Sequence, residues 1–280
     1  MSGGSVVVTG ASTGIGEATA LHLKELGFDV LAGVRKDEDA ERLGGQGVRP
    51  LKLDVTDEGS IAAARAEVED ASGGRLAGLV NNAGIAISSP VEYIPIERLR
   101  QQLEVNLIGQ VAVTQSLLPL LRAARGRVVN VSSIGGRVAL PLLAPYAASK
   151  FGLEAVSDSL RRELRHLGVD VVVVEPGGVK TPIWEKGNAA ADEMLEDVPA
   201  EAQELYGGLV TAIRAESRKI EQERGLPPRA VAEVIGKALT ARKPKTRYVV
   251  GRDAKLRAAA AKRLPDRAMD ALIGRALSGD

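Results

Sequence analysis

From Ser5 to Val250 the chain alternates short apolar runs with longer stretches whose apolar residues recur at helical spacing. The runs are Ser5–Thr9, Phe28–Val34, Val48–Leu53, Leu76–Val80, Gly126–Val131, Gly168–Glu175 and Arg247–Val250. Val169–Val174 is near-continuously apolar, as a strand buried on both faces should be. Between the runs, the spacing predicts helices from the turn after Thr9 to about Leu26, over Asp37–Leu43, and from an Asp57 N-cap to about Ala71. Further helices are predicted over Ile96–Arg122, from Pro145 to about Leu167, and over Ala230–Thr240. Pro145 suits a first helical turn, where its missing N–H has no intrahelical acceptor to lose. Strands alternating with helices predict an α/β fold: a doubly wound parallel sheet of about seven strands with helices on both faces.

Two stretches break the rhythm. Residues 182–228 are a polar insertion followed by a helical run over about Glu201–Arg224. The insertion follows the C-terminal end of a sheet strand, where α/β folds bind ligands, so it reads as a substrate lid. Residues 252–280 form a tail that is helical from Lys255 to Leu277, with Leu256, Leu264, Met269, Leu272, Ile273 and Leu277 apolar. A docking helix or a subunit contact is a commoner fate for such a tail than a membrane surface. Without linkers or repeats, 1–280 reads as one domain with its core over 1–181.

Composition narrows this picture. Aromatic residues are only 2% of the 280, so the core must be built from Val, Leu, Ile and Ala. A net charge of +1 argues against nucleic acid or an anionic membrane as an obligatory partner. The absence of cysteine excludes disulfides, thiol nucleophiles and Cys-ligated metals. No apolar run approaches membrane-spanning length and no charged n-region precedes the first strand, so neither a membrane span nor a signal peptide is expected, and the cytoplasm is the expected compartment.

The first strand leads into Gly10-Ala11-Ser12-Thr13-Gly14-Ile15-Gly16 and then a helix. In that context backbone N–H groups and a helix N-terminus bind a pyrophosphate. A P-loop is excluded, because Glu17 stands where its lysine would be. Gly10-x-Ser12-x-Gly14 also matches a hydrolase nucleophile elbow. A triad would then need a distant histidine, and His22 lies close by on the first helix. His166 lies about two turns from Asp158 on one helix, too far to touch it. The second strand ends in Val34-Arg35-Lys36, where an acidic side chain would hold the ribose of NAD. Val34 leaves that place empty, and Arg35 with Lys36 offers charge to the 2′-phosphate of NADP.

Later in the chain, Ser133 ends an apolar run, and Tyr146 and Lys150 stand at i,i+4 on the Pro145 helix. A lysine ammonium about 4 Å from a phenol, at an effective dielectric near 20, favours the phenolate by roughly 4 kcal/mol. That lowers a tyrosine pKa by up to about 3 and makes it a better proton exchanger near neutrality. Asn106, in the middle of a predicted helix, is a poor interior residue and is either exposed or functional.

Taken together these motifs resemble the short-chain dehydrogenase/reductase family over roughly residues 5–182, with a weaker echo to 250. Thr9-Gly10-x3-Gly14-Ile15-Gly16, Asn81-Asn82-Ala83-Gly84, Asn106, Ser133, Tyr146-x3-Lys150 and Pro176-Gly177 fall in that family's order and spacing. The resemblance implies a Rossmann fold, a nicotinamide cofactor with NADP(H) favoured and NAD(H) possible, and a tetrad of Asn106, Ser133, Tyr146 and Lys150. By that similarity Tyr146 exchanges the proton and Ser133 holds the substrate oxygen. Lys150 lowers the Tyr146 pKa and binds the nicotinamide ribose, and Asn106 anchors a relay water. Cofactor contacts are implied from Gly10, Ser12, Thr13, Gly14, Ile15 and Gly16; from Arg35, Asp54 and Val55; and from Asn81, Ala83 and Gly84. Tyr146, Lys150, Pro176, Gly177, Val179 and Thr181 complete that set, with Asp54 toward the adenine and Thr181 toward the carboxamide. The lid and tail look similar to the retinol-, steroid- and 3-hydroxybutyrate-type members. That implies a small, apolar alcohol or ketone as substrate, and the family's usual subunit contact implies a homodimer or homotetramer. A nucleotide-sensing binding protein on the same fold is the alternative. Such proteins typically lose the tyrosine or the lysine, and both are present here.

Overall fold

The valine-rich runs become the strands of one sheet. In this computed structural model, which describes residues 3–183 and 200–278, they are β1 (Gly3–Val8), β2 (Phe28–Val34), β3 (Arg49–Lys52), β4 (Leu76–Asn81), β5 (Arg127–Val131), β6 (Asp170–Pro176) and β7 (Arg247–Val250). They lie in the order β3-β2-β1-β4-β5-β6-β7 and every pair is parallel. Successive side chains on a strand point to opposite faces, so register partners share a layer. Val128 and Val171 pair across β5 and β6 and join Leu79 in one apolar layer. Val129 and Val172, the next pair, join Val6 and Val8 in the other.

Helices close both layers. The first is covered by α3 (Glu58–Ser72), α5 (Gly109–Ala124) and the C-terminal part of α6 (Ala144–Leu164), through Ile61, Val113, Leu117 and Leu164. The second is covered by α1 (Gly14–Glu25), α2 (Asp37–Gly45) and α8 (Pro228–Thr240), through Leu23, Leu43 and Ile235. Fully burying a Val or Leu side chain contributes about 1.5–3 kcal/mol, which explains how a core nearly free of aromatics holds. Asp57 caps α3 as its position predicted, accepting from Ser60 N–H at 2.9 Å.

Two expected helices differ. The Ile96–Arg122 helix is α4 (Ile96–Leu103) and α5 joined by a wider turn over Glu104–Ile108. The extra residue in that turn carries Asn106 inward, fully buried. The tail is two helices, α9 (Arg252–Ala261) and α10 (Asp266–Ser278), because Pro265 cannot donate into a continuing helix. In the lid, α7 (Ala200–Lys219) runs into a wider turn over Ile220–Arg224, close to the predicted span, while residues 184–199 lie outside the described residues. Contrary to the expectation that no segment is long and apolar enough to cross a membrane, Ile96–Ala124 is, by length and composition. Here that stretch packs on the sheet through Val113, Leu117 and Leu121.

The strand order reverses beside β1, whose neighbours are β2 and β4. Connections therefore leave β1 and β4 toward opposite faces and open a crevice at their carboxyl ends.

Candidate active site

The floor of the crevice is made by the exits of β1 and β4, which are tied together. Thr9 Oγ1 accepts from the N–H groups of Asn82 (2.9 Å) and Ala83 (3.0 Å), and the Asn82 amide donates to Thr9 O and Gly10 O, each at 3.0 Å. The glycine turn then passes over this platform into α1. Gly16 packs on the turn itself: a Cβ there would lie 2.2 Å from Gly10 O, so only hydrogen fits. Thr13, the N-cap of α1, has extended backbone and makes no side-chain cap, leaving the helix N-terminus open toward the cleft. Gly14 sits at φ +60°, and a Cβ on it would meet Thr181 Cγ2 at 3.0 Å across the cleft.

This cradle fits the pyrophosphate of a dinucleotide. Gly10, Ser12, Thr13, Gly14 and Ile15 line one cleft of about 450 Å³ together with Arg35, Asp54, Val55, Ala83 and Gly84. Pro176, Gly177, Val179 and Thr181 line its far side. Two expected contacts fall elsewhere. Gly16 lies beneath the turn as a packing glycine. Asn81 is buried under the platform, donating to Thr114 Oγ1 (2.8 Å) and Asn130 Oδ1 (2.9 Å) because odd and even residues of a strand face opposite sides. Its neighbour Asn82 is the one at the cleft. Arg35 is 72% exposed at the cleft edge and lies 3.7 Å from Asp54, whose carboxyl is held below its usual range. Burial opposes that lowering, and bonds from Thr56 and the Arg35 charge outweigh it. Arg42 on α2 was not anticipated: it donates to Ser12 O at 2.5 Å and pairs with Glu17, bracing the glycine turn from outside.

Across the cleft, β5, the turn after it and α6 bring Ser133, Tyr146 and Lys150 together. Ser133 Oγ accepts from Gly135 N–H at 3.0 Å and faces the Tyr146 phenol. Gly135 permits this, since a Cβ there would lie 3.1 Å from the Tyr146 ring. Asn106 is committed within the wall. Its oxygen accepts from Ile85 N–H (2.8 Å), and its nitrogen donates to Ile85 O (2.9 Å) and Ser149 Oγ (3.2 Å). Both amide protons are used, so only the second lone pair of the oxygen is left for a water. Ser149 Oγ donates in turn to Tyr146 O at 2.7 Å, linking Asn106 to the turn of helix that carries the tyrosine.

Burial dominates the electrostatics of this group. Burial holds the Tyr146 phenol above its ordinary pKa, offset only in part by the Ser133 hydroxyl. Lys150 Nζ donates to Val131 O at 2.9 Å and lies 5.8 Å from the Tyr146 ring centroid. Burial pushes Lys150 itself down to about 8, against the upward pull of Glu154.

The substrate end of the cleft was not legible in the motifs. Ile85, Ala86, Ile87 and Ile183 form apolar walls, and α4 with the wider turn after it presents Arg98, Gln101 and Val105 at i, i+3 and i+7. The buried Gln102 pins the opposite wall, accepting from Ile87 N–H (2.7 Å) and donating to Ile85 O (2.8 Å). The elbow reading of Ser12 finds no partner: His22 hydrogen-bonds Glu25 on α1 at 3.4 Å, and His166 is exposed at the end of α6. Among the described residues no cluster of His, Asp or Glu is placed to hold a metal.

Comparison with known proteins agrees with this geometry. The model of the short chain dehydrogenase family matches residues 5–192. The NADPH-dependent 3-dehydrocapnine reductase of Ornithobacterium rhinotracheale is 40% identical over 276 residues, covering 95% of each chain. The 17-beta-hydroxysteroid dehydrogenase type 6 of Bos taurus is 43% identical over 261 residues, covering 89% of this chain and 81% of that one. A solved short chain dehydrogenase of Burkholderia cenocepacia in complex with NADP superposes with a TM-score of 0.73 at 28% identity, covering 98% of both chains.

Proposed function

Because this chain belongs to the short-chain dehydrogenase family and is an NAD(P)-dependent oxidoreductase, we propose that its cleft takes NADP(H) by preference and exchanges hydride with an apolar secondary alcohol or ketone. The observation that carries the chemistry is the meeting of Ser133, Tyr146 and Lys150 in the same cleft as the open N-terminus of α1. A bound nicotinamide dinucleotide supplies or accepts the hydride. The protein supplies everything else. Ser133 Oγ holds the substrate oxygen against the phenol, and Tyr146 Oη gives or takes the proton at that oxygen. The raised Tyr146 pKa keeps the phenol protonated near neutrality, the form that donates in the direction of ketone reduction. Lys150 brings a positive charge beside the ring, and Asn106 holds the Ile85 wall and the start of α6 in place.

Preference for NADP(H) is supported by Val34 and Arg35 at the end of β2, where the strand itself ends in no carboxylate and Arg35 lies 3.7 Å from the one that neighbours it, Asp54. It is supported too by the named NADPH dependence of a relative 40% identical to this chain. An apolar substrate skeleton is supported by Ile85, Ala86, Ile87 and Ile183, with room for one polar end at Arg98 and Gln101. The reading includes no membrane crossing, since the Ile96–Ala124 stretch turns Val113, Leu117 and Leu121 into the core and carries the buried polar Gln102 and Asn106. It includes a homodimer or homotetramer whose contact is built on α5 with the turn before it and on α6, where Ile108 and Phe151 are 51% and 42% exposed.

The test is a panel of ketones and alcohols offered with NADP(H) and NAD(H), read by nicotinamide absorbance. Turnover of at least one apolar ketone, faster with NADPH, is expected. Turnover of none with either cofactor overturns the reading.

A further inference from the structure

Tyr146 and Lys150 are the first two rungs of a longer ladder on α6. Glu154 and Asp158 continue it at the same i,i+4 spacing, so all four lie along one face of the helix. Glu154 is 9% exposed. Its Oε2 accepts from Arg247 Nε of β7 at 3.0 Å, and its Oε1 is buried with the Ser132 hydroxyl close by but outside hydrogen-bond geometry. Beside it lies Ser132, the neighbour of Ser133. Gly136 leaves the space between them open, since a Cβ there would meet Ser132 Oγ at 2.9 Å and Glu154 Cγ at 3.1 Å.

A buried carboxylate with an unpaired oxygen is costly, and so is a buried ammonium whose hydrogen bond goes to a neutral carbonyl. Each cost is reduced, not removed, when the groups are neighbours of opposite charge. Lys150 is 4% exposed and bonds to Val131 O. The other charges around it lie one layer further off. Glu175 of β6 is held bidentately by Arg137 at 2.7 and 2.7 Å. Arg247 Nη2 reaches Asp158 at 2.9 Å, and its Nε lies 3.3 Å from Glu175. Glu154, buried one helical turn further along α6, is therefore the acid placed to act on the Lys150 charge, without an ion pair between them.

We propose that Glu154 is a positioning residue for the reaction: it keeps the Lys150 ammonium charged beside the Tyr146 ring, and Arg247 of β7 holds it in place. This rests on the reading of Tyr146 as the proton-exchanging group. Burial drives Lys150 down to about 8, and Glu154 is the group that resists. Burial and Glu175 raise the Glu154 carboxyl, while Ser132 and Arg247 pull it back toward the ionised form. As pH rises through the Lys150 pKa the ammonium is lost, and with it the charge beside the phenol. Removing the Glu154 charge moves that loss to lower pH.

The experiment compares the parent with Glu154→Gln and Glu154→Asp. The alkaline limb of kcat is expected to move about one pH unit to the acid side in Glu154→Gln. Its loss of kcat is then about sixfold larger at pH 8.5 than at pH 6.5. Glu154→Asp withdraws the charge by one methylene and moves the limb the same way by less. In the cofactor-free protein, the ¹³Cε resonance of Lys150, assigned by its absence in Lys150→Arg, is expected to titrate at correspondingly lower pH. That measurement decides the inference even if no substrate turns over. A Glu154→Gln limb and Lys150 titration at the parental pH, with a loss uniform across pH, would make Glu154 a structural brace and overturn the inference. If Glu154→Gln does not fold, a Glu154→Asp titration at or above the parental pH overturns it equally.

Discussion

Removing one oxygen separates chemistry from binding at the residue scale. Tyr146→Phe is expected to lower kcat by about 10²–10⁴, because Tyr146 carries the hydroxyl that Ser133 faces, while NADPH affinity measured by fluorescence titration stays within about threefold. A variant that turns over at near-parental rate would remove Tyr146 from the mechanism. The tyrosine, lysine and serine were legible as residue types at a spacing. Their electrostatics were not. An i,i+4 pair shares a helix face, but a lysine head group on a four-carbon stem goes where an acceptor is, and here that acceptor is Val131 O. Cofactor choice is the second prediction at this scale. Val34→Asp with Arg35→Ala is expected to reverse the preference from NADPH to NADH. The Arg35 contribution is roughly tenfold in affinity because its side chain is 72% exposed and screened. Equal binding of both cofactors to the unmodified protein would mean that Arg35 points into solvent.

Among the elements, those with local signals behave as their residues dictate. The Asp57 cap of α3 is one, and Asp57→Ala is expected to cost about 1 kcal/mol, a fall in Tm of about 2–4 °C with kcat unchanged. The glycine turn is another. Gly16→Ala forces a methyl against Gly10 O, so the turn must open; NADPH affinity measured by titration is expected to fall at least about tenfold. Unchanged affinity would show that the turn yields without disturbing the cradle. The wider turn over Glu104–Ile108 had no such signal, since one extra residue per turn leaves the apolar spacing of Ile96–Arg122 almost intact. Pro265 did carry a signal, but the apolar positions on either side of it read as one helix, and the proline splits them into α9 and α10.

For the whole molecule, the outer faces of α5 and α6 carry the proposed subunit contact. Ile108→Glu with Phe151→Glu is expected to give a monomer by light scattering where the parent is a dimer. A parent that is already monomeric at micromolar concentration would remove this face from consideration. Architecture and reaction class were written along the chain. Strands buried on both faces must be continuously apolar, the helices between them must show a helical period, and the motifs of the cleft stand at strand ends in a set order. The sequence by itself therefore determined the parallel sheet, the glycine cradle and the Ser133, Tyr146 and Lys150 group. The tertiary structure alone decided which groups face one another. It chose Asn82 over Asn81 for the cleft and committed the Asn106 amide to Ile85 and Ser149. It also joined Glu154 to Arg247, a partner 93 residues away. Hydrogen-bond direction and local dielectric come from contacts between residues distant in the chain, and no local pattern of residue types encodes them.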